Sequence, residues 1–221
     1  MEHVHDGDSV RLADGRALRL IGIDTPELAR DGRPDEPLAR AARDRLRELL
    51  RDSGMRLELR FDREREDHYG RLLAHAYLPD GRSVAAELLA EGLATQLVVP
   101  PNDASWTCFR QAERVARRAR RGLWALPGYQ VMASRGLDPT RRGFALVRGR
   151  VTAVEPRRPG VRVVLDGGFV AWVPRAALAA FSDIEGLEGE RVEARGRLRG
   201  YRDQLQVTVR HPFALAVIEA P

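Results

Sequence analysis

The chain contains no lysine, and all 37 of its basic residues are arginine. So uniform a choice reads as a coding bias rather than a chemical requirement. A single cysteine, Cys108, excludes an internal disulfide and speaks against a cysteine-built zinc site. No disulfide-linked partner is expected, and Cys108 itself reads as helix filler. No apolar run approaches the ~20 residues of a membrane span, and no leader of charged, apolar and small residues opens the sequence. What is present is a 221-residue chain that is 43% hydrophobic, enough for one large or two small globular domains with buried cores. Residues 1–126 carry 22 arginines against 22 acids, whereas residues 127–221 carry 15 against 10. That step in charge points to two modules, with contact to a polyanion falling to the second.

The stretch from Arg19 to Glu27, Arg-Leu-Ile-Gly-Ile-Asp-Thr-Pro-Glu, organises the first module. Its apolar run over residues 18–23 predicts a strand buried on both faces. A guanidinium in such a strand is costly unless paired, and the strand ends in two acids, Asp24 and Glu27, around Thr25-Pro26. On these residues alone, a structural Arg–Asp ion pair and a chemical site both stand. Upstream, Asp6-Gly7-Asp8 predicts a turn or bulge in which Gly7 supplies an unusual backbone angle. Its two carboxylates repel each other unless a cation or an arginine stands between them. His3 and His5, near the terminus, are expected to hold nothing.

Apolar spacing orders the remainder. Val10 and Leu12 lead through an Asp14-Gly15 turn into the strand carrying Arg19. Residues 30–36, rich in Asp, Arg and Pro, predict a mobile loop. Leu38, Ala42, Leu46, Leu49 and Leu50 share one helical face. Leu57, Leu59 and Phe61 alternate with charges in a strand, and residues 64–70 turn into a partner strand over 71–78. Val84, Ala85, Leu88 and Leu89 line a short helix stopped by Gly92. A third helix buries Trp106, Phe109, Ala112, Ala116 and Ala119, with Gly122 as its cap and Trp124 as its anchor. Its arginines, Arg110, Arg114, Arg117, Arg118 and Arg121, read as a solvated face. The order is that of a small β-barrel with helices packed on it, α+β by class.

Asp6-Gly7-Asp8, Arg19 with Asp24-Thr25-Pro26-Glu27, and Asp67-His68-Tyr69-Gly70-Arg71 occur in the order and spacing of the staphylococcal-nuclease-like (thermonuclease) family. The chain resembles that family from residue 4 to residue 126. The resemblance implies a five-stranded OB-type barrel with three helices (α+β, mainly β) as a nuclease domain over residues 1–126. It also implies a calcium-dependent phosphodiesterase that cuts single-stranded DNA and/or RNA to 3′-phosphate and 5′-hydroxyl ends. A hard cation such as Ca²⁺ takes oxygen ligands. By resemblance these are the carboxylates of Asp8 and Asp24 and the carbonyl of Thr25, with Asp6 behind them. Glu27 then orients and deprotonates the attacking water. Arg19 and Arg71 grip the phosphate and stabilise charge on the five-coordinate phosphorus, and Tyr69 hydrogen-bonds the terminal phosphate. The alternative on the same fold is a catalytically silent module that binds nucleic acid or protein.

Two departures from the family carry consequences. Only Met1 to His5 precede the Asp-Gly-Asp, as expected of a trimmed chain or of one whose targeting segment was removed; the second case implies a secreted or periplasmic protein. Residues 96–101, Gln-Leu-Val-Val-Pro-Pro, lie where the family places tyrosines beside the nucleotide base. Base–aromatic stacking is worth about 1–3 kcal/mol, so weaker binding or poorer base discrimination is expected, with Val98 the position at which to test it.

The second module follows a linker, predicted over 127–144 from Pro127-Gly128, Gly136, Pro139 and Gly143. Strands over 145–155, 161–165 and 169–173, a helix over 175–181, and strands over 191–198 and 204–210 follow in OB order. A turn is expected at 199–203. Residues 145–221 are therefore read as a second small OB-fold barrel, similar to those attached to bacterial nucleases of this family. Two readings stand for it. One is a nucleic-acid clamp with Arg148, Arg150, Arg157, Arg158 and Arg162 on the backbone and Phe169, Trp172 or Tyr201 stacking bases. The other is a structural or protein-contact barrel with Trp172 in its core.

Overall fold

The computed structural model describes residues 3–29, 32–201 and 204–218. The chain forms two compact units, Met1–Leu126 and Pro127–Pro221. Among the described residues no helix is long and apolar enough to cross a membrane.

The first unit begins with β1 (His3–Val4), β2 (Ser9–Arg11) and β3 (Ala17–Leu20), followed by β4 (Ile23–Asp24) and α1 (Ala39–Asp52). It continues through β5 (Glu58–Arg60), β6 (Leu72–Tyr77), α2 (Val84–Ala90), β7 (Thr95–Gln96) and α3 (Trp106–Arg118). The barrel runs β1-β2-β3-β6-β5 with β3 and β6 parallel, and β4 pairs separately with β7. This is an α+β, OB-type five-stranded barrel carrying three helices. Leu18 and Leu20 point into a core filled by Leu46, Leu49 and Leu50 of α1, Leu88 and Leu89 of α2, and Phe109 of α3.

Residues 18–23 do not form one strand buried on both faces. In β3 burial alternates, so Leu18 and Leu20 face the core while Arg19 lies on the other side. The strand then breaks at Gly22, whose φ of +90° suits glycine and where a Cβ would stand 2.2 Å from the Phe109 ring. The chain restarts as β4, which carries Asp24. Gly7 also differs from expectation. It is not among the residues with positive φ, and its lack of a side chain instead admits Ala42 and Thr25, each 2.7 Å from where its Cβ would stand. α3 ends at Arg118 with Ala119 as its cap, and Gly122 opens a separate 3-10 turn. Cys108 is exposed rather than packed. Of the loop predicted over 30–36, Arg30 and Asp31 lie outside the described residues.

The second unit comprises β8 (Val131–Ala133), β9 (Gly143–Arg157), β10 (Gly160–Leu165), β11 (Val170–Pro174), β12 (Arg191–Tyr201), β13 (Gln204–Thr208) and β14 (Leu215–Val217). The ring β9-β10-β11-β13-β12 closes on itself through β12 and β9, and β11 and β13 are parallel. That is the OB arrangement. Closure depends on the length of β9: its first half pairs with β12 and its second with β10. Residues 127–144, expected as a linker, contribute β8, which lies parallel to β9. The predicted helix is a 3-10 segment, Arg175–Ala180. The strand β12 extends through Tyr201, and the remainder of the turn predicted there, Arg202 and Asp203, lies outside the described residues.

Candidate active site

The loop from β1 to β2 delivers Asp8. Its carbonyl accepts a 2.8 Å hydrogen bond from Leu20 N, which pins the loop to the end of β3. Asp8 is only 5% exposed, and both oxygens of its carboxylate accept hydrogen bonds. Oδ2 accepts from Thr25 N at 2.8 Å and Thr25 Oγ1 at 2.9 Å, and Oδ1 accepts from Ser9 Oγ at 3.0 Å. Arg19, opposite Ser9 in the β2–β3 ladder, makes an ion pair with the same Oδ2, and its other amino group donates to Asp24 Oδ1 at 3.2 Å. One guanidinium therefore bridges Asp8 and Asp24. Burial opposes the charge on Arg19, but Asp8, Asp24 and Asp6 outweigh that and hold its pKa above the usual value. Asp6 accepts from Asp8 N at 3.1 Å; burial and the neighbouring Asp8 charge push its pKa up to about 6.

Arg71 is set by a tight turn. Asp67 Oδ1 accepts from the main-chain nitrogens of Tyr69 and Arg71 at 2.9 and 3.0 Å, while Oδ2 accepts from Arg71 Nε at 2.7 Å. Burial raises the Asp67 pKa, but these donors prevail and hold it below the usual carboxylate value. Tyr69 is 74% exposed and lies beside Arg71, whose Cζ is 5.6 Å from the ring centre. Glu27 is exposed at the end of the segment that follows β4. Its backbone is held twice by Glu36: Glu27 N donates to Glu36 Oε2 at 3.0 Å, and Glu36 N donates to Glu27 O at 2.9 Å.

Asp6, Asp8, Arg19, Glu27, Tyr69 and Arg71 line one cleft of about 480 Å³. Asp24 and Thr25 are not part of that lining; they join it through Arg19 and Asp8. A second cleft, about 410 Å³, shares Arg19 and Arg71 and is floored by Leu97 and Val99. Val98, the position expected to face the base, is buried, because alternation along the segment turns its neighbours outward instead. Asn102 joins two walls of this cleft, accepting from Glu64 N at 2.9 Å and donating to Glu64 O at 2.8 Å.

Glu36 and Asn102 carry no motif, and nothing in their spacing marks them. Glu113 is different. It is buried on α3, accepts from Gln96 N at 2.7 Å and so steadies β7, the partner of β4. Its helical spacing from Phe109 and Ala116 places it on the buried stripe and was a readable signal.

Among the described residues no three acidic, histidine or cysteine side chains converge on a common point; a guanidinium joins Asp8 to Asp24 instead. The donor set nevertheless fits a hard divalent cation. It consists of oxygens alone, and its two central carboxylates already share a positively charged group.

The barrel and the order of its cleft residues define a class. Residues 17–126 match the family model of the staphylococcal nuclease homologues, and the chain belongs to that family. The match begins after Asp6 and Asp8. The chain is 36% identical over 127 residues to the thermonuclease of Staphylococcus intermedius, covering 56% of this chain and 74% of that one. It is 36% identical over 149 residues to endonuclease YncB of Bacillus subtilis (strain 168), covering 65% of each. It is also 35% identical over 161 residues to the SPbeta prophage-derived endonuclease YokF of the same strain, of which it spans half the length.

Proposed function

We propose that this chain is a metal-dependent nuclease that hydrolyses phosphodiester bonds of single-stranded DNA or RNA, with Ca²⁺ as its cation. The observation that carries this reading is the meeting of two arginines, Glu27 and Asp8 in one cleft; the family and its nuclease relatives support it. Asp8, Asp24 and the Thr25 carbonyl would hold the cation, with Asp6 behind them. The bound cation supplies Lewis-acid polarisation of a phosphoryl oxygen. Glu27, held at its backbone by Glu36 and exposed, takes the proton of the attacking water. Arg19 and Arg71 each offer a planar fork to the phosphate and take up charge as the phosphorus becomes five-coordinate. The bond to the 5′-oxygen breaks, that oxygen takes a proton from water, and a 3′-phosphate remains. Tyr69 donates to the terminal phosphate.

One observation favours the silent-module alternative: Asp8 and Asp24 are already ion-paired to Arg19. Cleavage of end-labelled single-stranded DNA in Ca²⁺, in EDTA, and by Glu27→Gln in Ca²⁺ separates the two. The nuclease reading expects Ca²⁺-dependent 3′-phosphate ends and a rate roughly 10²–10⁴-fold lower in the variant. A folded wild-type protein that binds the strand without cutting it establishes the silent module.

A further inference from the structure

The second unit presents one face whose chemistry is unlike the rest of its barrel. Cross-strand register places Glu155, Arg162, Trp172 and Thr208 in one row across β9, β10, β11 and β13. The adjoining row ends in Gln206 and Arg199. The residues between these rows, Val163, Ala171 and Val207, are fully buried, whereas Arg162, Trp172, Thr208 and Gln206 are half-buried and Arg199 is exposed. The first row and the Gln206–Arg199 end of the second therefore point outward, while Val170 in the second row is covered. Among their described residues Glu155 is the one carboxylate, and it is spent in place: it accepts from Arg157 at 2.6 Å and from Arg162 at 2.8 Å. Arg162 also donates to Gln204 at 2.7 Å, which spreads its guanidinium across the face. Trp172 is half-buried at the centre of the row. Its indole lies along Gly160, where a Cβ would stand 2.8 Å from the ring, so the absence of a side chain there seats the ring.

The other side of the barrel differs. Arg148 is paired with Glu193 and Arg150 with the carbonyl of Gly189, while Phe169 is in the core. These members of the expected clamp are therefore structural; Arg157, Arg162, Trp172 and the exposed Tyr201 remain on or beside the face, and Arg158 is exposed in the turn between β9 and β10.

We propose that this face of the second unit docks single-stranded nucleic acid, with Trp172 as a stacking platform and Arg162 and Arg199 on the phosphates. The unit carries 15 arginines against 10 acids, a charge suited to a polyanion. A seated indole with hydrogen-bonding Gln and Thr beside it accepts a base without demanding a sequence. An acidic protein partner would meet the same arginines but has no use for a flat central ring. The surface extends the nuclease reading by adding substrate affinity from a second unit, and it stands as a binding surface whether or not the chain cleaves.

The test is anisotropy of a fluorescein-labelled oligothymidylate with the full chain in EDTA. Trp172→Leu is expected to weaken binding roughly 5- to 100-fold. Arg199→Glu, at an exposed position, should weaken it and lower the salt slope by about one or more. Arg191→Glu, at the opposite end of β12, controls for net charge and should change the affinity much less. Wild-type affinity in both Trp172→Leu and Arg199→Glu, with circular dichroism unchanged, overturns the proposal. So does an equal loss in Arg191→Glu, or loss in Arg71→Gln alone, which would assign all binding to the first unit.

Discussion

Arg19 is ion-paired to Asp8 inside the first unit, where Asp8 is 5% exposed and has both Thr25 donors on the same carboxylate oxygen. One side chain thus offsets part of the charge of two acids, and in the proposed reaction the same guanidinium turns to the phosphate. Replacing Arg19 by Gln leaves Asp8 buried without a cation, a loss of about 3–5 kcal/mol for a broken buried pair. The cleavage rate is expected to fall roughly 10²–10³-fold, as for removal of one transition-state donor. Urea unfolding in EDTA reads the first effect, and kcat of the folded fraction in Ca²⁺ the second. Arg19→Lys should recover part of the stability but little of the rate, because an ammonium cannot bridge Asp8 and Asp24 as a planar fork does.

Leu97 and Val99 floor the second cleft, and neither offers a π-face to a base. Val99→Tyr or Leu97→Tyr should lower KM for single-stranded DNA by roughly 5- to 100-fold, the range of one base–aromatic stack. Val98→Tyr should instead destabilise the unit by about 1–3 kcal/mol, since it overpacks a buried position. Steady-state kinetics and thermal unfolding of the three variants separate these outcomes.

His75 lies buried on β6, 5.5 Å from the Phe109 ring, and among the described residues neither of its ring nitrogens has a hydrogen-bond partner. Burial lowers its pKa from the model-compound value of 6.5, with Asp62 pulling weakly the other way. The unfolded chain therefore binds a proton first as pH falls. Stability should be intact above about pH 6.5 and decline from there toward the lower native value. His75→Phe should remove that part of the slope and gain about 1 kcal/mol at neutral pH by relieving unsatisfied nitrogens. Denaturant midpoints across pH 5–8 measure it; identical slopes in the two proteins would falsify the assignment.

Much of the architecture was legible because it rests on local periodicity. The buried stripes at Ala42, Leu46, Leu49 and Leu50 and at Val84, Ala85, Leu88 and Leu89 follow from helical spacing, and both helices form there. The five-strand order of the second barrel was readable from alternating burial and turns. Less legible was how Gly7 works, since close approach of Ala42 and Thr25 depends on a helix more than 30 residues away. The doubly buried strand was misread because a run of apolar residues does not reveal a break that Phe109 imposes at Gly22.

By itself the sequence determined which residue types stand at which spacing: Asp8, Arg19, Asp24, Glu27 and Arg71, and two modules unequal in charge. Covalent order and side-chain pattern are local, so they survive without coordinates. The tertiary structure alone decided that one guanidinium joins Asp8 to Asp24, that Glu36 holds the backbone of Glu27, and that Val98 turns inward while Leu97 and Val99 turn out. It also decided that Arg162 and Trp172 share a row while Arg148 is paired elsewhere. Each of these is a relation between segments distant in the chain, set by strand register and packing, and such relations exist only once the barrels close.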